Sequence, residues 1–302
     1  MPVEIHSIFM APHESLIEIT LASLRADVIT PEILKDIFFQ LGFSPQQVAE
    51  CSRGGKAQVS VYLHNRDKAR RIRQRILALH LRHVKVMAQN LRPRQWRDRW
   101  KKEIQPFVLT KNFDVVPVWC RQGYQQGRRR PIFIDTTLAF GTGLHETTQF
   151  MARLIERAEG KFVSFLDVGT GTGLLAIVAE HCGARRILAL DIDRNSVAAA
   201  KKNFLLNRTR RVKIVHRDFM RYRPVAPFDF VAANLFTEDL IAFRQKLVDS
   251  VNPGGWLALS GISLNHLPKL KRAFKSLPLR CRKIMRGKKW TAVFYQKEGR
   301  GT

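Results

Sequence analysis

The sequence predicts an α/β protein: a parallel, doubly wound sheet of seven strands whose last strand runs antiparallel, with a smaller α+β domain in front of it. Three observations predict it. Apolar strand runs alternate with amphipathic stretches through the C-terminal half. The final two runs are separated by three residues, too few for a crossover helix. Residues 1–90 carry their own strand and helix patterns in the order βαββαβ.

In the N-terminal part the elements are a strand at Leu16–Leu21, a helix at Pro31–Leu41 and a short strand at Gln47–Cys51. A strand at Ala57–Leu63, a helix at Lys68–Leu79 and a strand at Val84–Ala88 follow. That order suits a ferredoxin-like sandwich over residues 1–90. The stretch "LRPRQWRDRWKKEIQP", residues 91–106, has no clean period, although Trp96 and Trp100 could share one helix face, and it reads as an interdomain connector. From residue 107 to 302 the strand candidates are Phe162–Val168, Arg186–Asp191, Val212–His216, Phe228–Asn234 and Trp256–Gly261. Leu279–Arg286 and Trp290–Gln296 then flank Gly287-Lys288-Lys289, so the last strand is expected to run antiparallel.

Composition narrows the class. The start, MPVEIHSIFM, has no basic segment followed by a long apolar run, and no apolar stretch approaches the roughly 18 residues of a membrane helix, so a cytoplasmic protein with no membrane partner is expected. Cys51, Cys120, Cys182 and Cys281 lack metal-ligand spacing and read as small buried hydrophobes, with no metal site and no disulfide framework. The formal net charge of +27 is concentrated: Arg66–Arg130 holds 19 Lys/Arg against 4 Asp/Glu, and Asn265–Trp290 holds 10 basic residues and no acidic one. Such a surface attracts polyanions, RNA among them, although a solvated basic face explains the same charge.

The chemistry centres on "FLDVGTGTGLLAI", Phe165–Ile177. Gly169, Gly171 and Gly173 follow one apolar run and open another, as at a sharp strand-to-helix turn. A dinucleotide site would place its third glycine at position 174, where Leu174 stands; the spacing here is G-x-G-x-G. Asp191 lies 22 residues beyond Gly169 at the end of the next strand, where a carboxylate can accept both hydroxyls of a ribose. Its alternative role, a helix cap, can be filled equally well by Asp193 or Asn195. Asp218-Phe219 follows the third strand and offers an acceptor and an aromatic face to an adenine, though an Asp after a strand is also an ordinary turn residue. No phosphate-binding lysine accompanies the turn, which fits a sulfonium nucleoside.

With these residues in hand, the sequence resembles the PrmA family of methyltransferases, which act on lysines and the N-terminal amine of ribosomal protein L11. The resemblance is carried by "RPRQWRDRWKKEIQPFVLTKNFDVVPVW" (Arg92–Trp119), "LAFGTGLHETT" (Leu138–Thr148), "LDVGTGTGLLAI" with "ALDID", "VAANL" (Val231–Leu235) and "NPGGWLALSGI" (Asn252–Ile262). It implies a Rossmann-like methyltransferase sheet, S-adenosylmethionine as cofactor and a large-subunit ribosomal protein as partner. Cofactor contacts are implied at Thr148, Gly169, Asp191 and Asn234, with Phe140, Gly141, Thr142, Gly143 and His145 in a loop over the cofactor. For His145 a loop-ordering hydrogen bond is favoured over a role as base or metal ligand.

The chain departs from the family in reading Asp135-Thr136-Thr137 where Asp-Pro-Gly is usual, Glu146 where proline is usual, and in being basic where members are usually acidic. These departures bear on the substrate more than on the chemistry. The catalytic candidate is Asn234, whose side-chain carbonyl can accept from an amine; its ordinary role is to cap the strand-to-helix turn. Two other classes compete. A nucleic-acid N-methyltransferase suits the charge, but Asn234 is followed by Leu235, Phe236 and Thr237 rather than by the two prolines and an aromatic common in such enzymes. An inactive RNA- or ribosome-binding protein would not need the glycines, Asp191 and Asn234 together. A monomer is expected, with rRNA contact through the basic belt.

Overall fold

The computed structural model describes residues 16–25, 28–43, 48–53, 56–63, 65–91, 105–135, 141–223 and 225–299, and the chain divides into two compact units, Met1–Ile104 and Gln105–Thr302. Of the expected connector at 91–106, residues 92–104 lie outside the described residues.

The first unit runs β1 (Leu16–Ser23), α1 (Pro31–Gln40), β2 (Val48–Arg53), β3 (Lys56–Leu63), α2 (Arg66–Ala78) and β4 (Val84–Leu91). The sheet order is β2-β3-β1-β4 and every pairing is antiparallel, the ferredoxin-like arrangement. Alternation along the strands puts Ile17, Ile19, Leu21, Val59 and Val61 against Leu34 and Phe38 of α1 and Ile72 and Ile76 of α2. Proline at the first turn starts α1, and Asn65 Oδ1 caps α2 by accepting from the Lys68 N–H at 2.8 Å.

The second unit is built on seven strands: β8 (Ser164–Val168), β9 (Arg186–Asp191), β10 (Val212–His216), β11 (Phe228–Asn234), β12 (Val251–Ser263), β13 (Leu279–Arg286) and β14 (Trp290–Lys297). Their order is β10-β9-β8-β11-β12-β14-β13, parallel from β10 to β12, with β14 antiparallel to both β12 and β13. All five residues of β8 are buried, as expected for the central strand of a sheet covered on both faces. The helices are α3 (Glu146–Arg157), α4 (Leu174–His181), α5 (Arg194–Leu206), α6 (Thr237–Ala242), α7 (Arg244–Asp249) and α8 (Leu267–Phe274). Among the described residues none is long and apolar enough to cross a membrane.

A third sheet escapes the sequence pattern. β5 (Phe107–Val108), β6 (Phe113–Pro117) and β7 (Arg130–Ile134) form a small sheet whose Phe113, Val115, Ile132 and Ile134 join the core beneath α3 and α4. The same core holds an aromatic cluster, Phe162, Phe165 and Phe230, with ring centroids 5.2–6.0 Å apart.

Where α5 presses on the glycine turn the packing leaves no room. A Cβ on Gly173 (φ +80°) would stand 2.6 Å from Phe204 and 3.1 Å from Ala200. Gly173→Ala is therefore expected to cost about 2–4 kcal/mol of stability, a left-handed backbone and an overpacked contact acting together, measured as a lowered denaturation midpoint.

The cysteine reading needs correction. Cys182 is buried, and burial pushes its thiol up to about 12, but Cys120 is half-buried and Cys281 is exposed. Cys281 lies on β13, where the ladder irregularity between Cys281 and Lys283 disrupts the inward-outward alternation.

Candidate active site

Parallel strands end on one edge of the sheet, and the candidate residues collect there. Val168 pairs with Ala233 and with Leu190, which places Gly169 beside both Asn234 and Asp191. Gly169, Gly171 and Gly173 have φ of +73°, +55° and +80°, a run that glycine adopts without the Cβ penalty of other residues. The turn is stitched to β9: the N–H groups of Gly169 and Thr170 donate to Leu190 O at 2.9 and 3.1 Å.

Asp191 closes the turn. Its Oδ2 accepts from the Gly171 N–H and its Oδ1 from the Asp193 N–H, both at 2.9 Å, so the carboxylate lies over the glycines with a lone pair remaining on each oxygen. The cap of α5 is Asp193, which accepts from the N–H groups of Asn195 and Ser196. The next residue, Ile192, is 69% exposed, a large apolar side chain beside the carboxylate that the sequence pattern did not single out. Between Phe162 and Ala184 there is no lysine or arginine.

Beneath the turn sits a second carboxyl that sequence reasoning missed. Asp167 is buried and accepts from the Thr170 hydroxyl at 2.7 Å. Burial pushes it up to about 7, the Thr170 hydrogen bond opposing and the Asp191 charge adding. The native state therefore keeps a proton that the unfolded chain, with an ordinary value of 3.8, releases. Stability falls as pH rises between those two values and levels off above the higher one. Compared with Asp167→Asn, the natural chain is expected to lose melting temperature between pH 5 and pH 7.5; parallel curves for the two would contradict the assignment.

The loop before α3 is tied to the turn and to the small sheet. Thr172 Oγ1 donates to Gly141 O at 2.6 Å, and a Cβ on Gly143 (φ +91°) would come within 3.1–3.2 Å of Leu174, Phe107 and Val115. Thr142 is buried, and Phe140, with Thr136 and Thr137, lies outside the described residues. His145 is the N-cap of α3: its Nδ1 accepts from the Thr147 N–H at 3.4 Å and lies 2.6 Å from Thr147 Oγ1. Burial lowers its pKa, with Glu146 opposing, which favours the neutral ring that a cap requires. Its ring meets Trp290 edge-on at 5.2 Å, and Glu146 Oε1 accepts from the Lys288 N–H at 3.1 Å. The unusual glutamate thus fastens the start of α3 to the β13–β14 turn.

Asn234 ends β11 facing α3. Its Nδ2 donates to Thr147 Oγ1 at 3.3 Å and to Thr148 Oγ1 at 3.5 Å, and both threonines are buried. Its Oδ1 takes no hydrogen bond from the described residues. Phe236, two residues on, is 72% exposed at the same edge.

Of the pair Asp218-Phe219, Phe219 departs from its expected role against an adenine, while Asp218 keeps lone pairs to accept with. Asp218 Oδ1 accepts from the Met220 N–H at 2.8 Å, a turn contact, and its Oδ2 lies 3.9 Å from Arg221. Phe219 is buried, 5.8 Å from the Phe243 ring and under the Lys246 ammonium, so its faces are occupied by protein. Among the described residues no cluster of His, Cys, Asp and Glu could hold a metal.

Comparison with known proteins identifies the family. The family described as ribosomal protein L11 methyltransferase (PrmA) matches residues 16–298. A ribosomal protein L11 methyltransferase of Lactobacillus acidophilus is 33% identical over 211 residues, 69% of this chain and 66% of that protein. One of Sorangium cellulosum is 36% identical over 185 residues, 61% of this chain and 58% of that protein. The matched region thus spans less than two thirds of the length of these relatives. The crystal structure of a ribosomal protein L11 methylase from Lactobacillus delbrueckii subsp. bulgaricus superposes with a TM-score of 0.60 at 31% identity, covering 65% of this chain and all of that one. On the match across nearly its whole described length, the chain belongs to the ribosomal protein L11 methyltransferase (PrmA) family.

Proposed function

We propose that this chain is an S-adenosylmethionine-dependent N-methyltransferase acting on lysine side chains, N-terminal amines or both in an L11-like ribosomal protein. The observation that carries the reading is the Asp191 carboxylate fixed over a three-glycine turn with no cationic side chain in the segment. That set of groups suits a ribose: two carboxylate lone pairs for two hydroxyls and an exposed Ile192 for a purine face, with no lysine or arginine between Phe162 and Ala184 to pair with a phosphate. Gly169, Gly171, Gly173, Asp191, Asp218, Thr148 and Asn234 would hold the cofactor, under the loop Phe140–His145. When bound, it supplies a methyl group on a cationic sulfur.

The residues of the chain supply alignment and an unprotonated amine. A free lysine has a pKa of about 10.4, so roughly one amine in 2,500 is neutral at pH 7. Burial at the strand edge disfavours the ammonium, and no separate base is required. Asn234 spends its N–H groups on Thr147 and Thr148, which leaves Oδ1 to accept from the amine N–H and aim its lone pair. In this reading residues 1–90 recognise substrate, 91–106 connect, and 107–302 carry the chemistry, in a cytoplasmic monomer.

Titration calorimetry separates cofactor classes. Micromolar uptake of S-adenosylmethionine and none of NAD is the expected result; folded protein that takes up NAD, or neither compound, overturns the assignment.

A further inference from the structure

We propose that the basic edge strand β13 and the turn after it, from Arg280 to Lys289, bind the phosphate backbone of RNA beside the candidate active site. All ten lysines and arginines between Asn265 and Trp290 are exposed, with no acidic residue in the segment. Among the described residues only Lys269 has a carboxylate within ion-pair distance, that of Glu238 at 3.4 Å. None of the strongly exposed large hydrophobic side chains falls in this segment, so the face lacks the side chains that would insert into a bilayer or fill an apolar protein groove. Unpaired cations with no strongly exposed apolar side chain among them suit a polyanion.

The geometry favours a phosphate chain. Among the described residues β13 is the outer strand of its sheet and pairs with β14 alone. At about 3.3 Å per residue, Arg280 to Arg286 extends roughly 20 Å, the length of several nucleotides. Arginine supplies a planar fork for phosphate, and the Arg282 fork is held in place by Gln296 Oε1, which accepts from Nε at 2.9 Å and Nη2 at 2.6 Å. Charged side chains also guard edge strands against aggregation; β13 carries four cations, Arg280, Arg282, Lys283 and Arg286, and the turn after it two more, Lys288 and Lys289.

Placement gives the surface a use. The turn is fastened to the start of α3 by the Lys288 N–H on Glu146 and by Trp290 against His145, so RNA held there lies next to Thr147, Thr148 and Asn234. A chain of net charge +27 attracts RNA, and with it any protein that the RNA carries. Only the choice of RNA among polyanions rests on the function proposed above.

The test reads binding alone, without cofactor or methyl transfer, so its failure is distinguishable from failure of that function. Anisotropy of a labelled RNA hairpin is followed across a salt series for the natural chain, for Arg280→Gln/Lys283→Gln/Arg286→Gln/Lys289→Gln, and for Arg66→Gln/Arg70→Gln/Arg73→Gln/Arg75→Gln on α2. Both variants lose four charges. The β13 variant is expected to bind at least about 10-fold more weakly, with a salt slope shallower by about 2–4, while the α2 variant changes less than about threefold. Equal losses in the two variants, no binding by the natural chain at low salt, or equally good displacement of the hairpin by polyglutamate overturns the proposal. If the four-site variant does not fold, Arg286→Glu/Lys289→Glu carries the same comparison.

Discussion

Replacing Asp191 by alanine is expected to weaken S-adenosylmethionine binding by about 100-fold or more while the protein stays folded. Two hydrogen bonds from ribose hydroxyls to a charged acceptor contribute about 1.5–3 kcal/mol each, and 1.4 kcal/mol is a factor of ten. The variant also frees the N–H groups of Gly171 and Asp193, both of which bond to this carboxylate. A modest fall in melting temperature therefore accompanies the loss of binding. Calorimetry and a thermal melt on the same sample separate the two effects. Retained affinity with a lowered melting temperature would make Asp191 a brace for the turn and nothing more.

The second large effect belongs to Asn234. Alanine there is expected to slow methyl transfer by about 100- to 1,000-fold through loss of amine positioning, with little change in stability. Stability is spared because the bonds that Asn234 makes to Thr147 and Thr148 are long, 3.3 and 3.5 Å, and its side chain is only partly buried. Single-turnover rates at saturating cofactor read the first quantity and denaturant unfolding the second. Activity falling only as far as the folded fraction falls would count against the catalytic role.

What the sequence made legible follows from how each feature is encoded. β8, β9 and β11 are buried on both faces and so stand out as continuous apolar runs, and the three residues between β13 and β14 force a hairpin. β5 is two residues long and β7 contains Pro131, so the small sheet has no period to read. β12 begins at Val251 rather than Trp256, because its first residues pair across a register shift that breaks alternation.

The site divides the same way. Glycine spacing and the strand-end position of Asp191 are one-dimensional signals, and both survive folding as neighbours. Asp167 was legible only as the one charged residue in the run FLDV, a signal that burial alone converts into a raised pKa. Phe219 misleads because the chain doubles back after Asp218, the Tyr222 N–H returning to Asp218 O at 3.0 Å, which turns the ring into the core. Glu146 reads as a lapse in a motif until the β13–β14 turn is seen to lie over it.

The central claim concerns where the methyl group goes. Folded protein incubated with methyl-labelled S-adenosylmethionine, an L11-like ribosomal protein and naked rRNA in separate reactions gives a direct answer. The account predicts label on amines of the protein and none on the RNA; label on RNA bases, or on neither substrate, would contradict it.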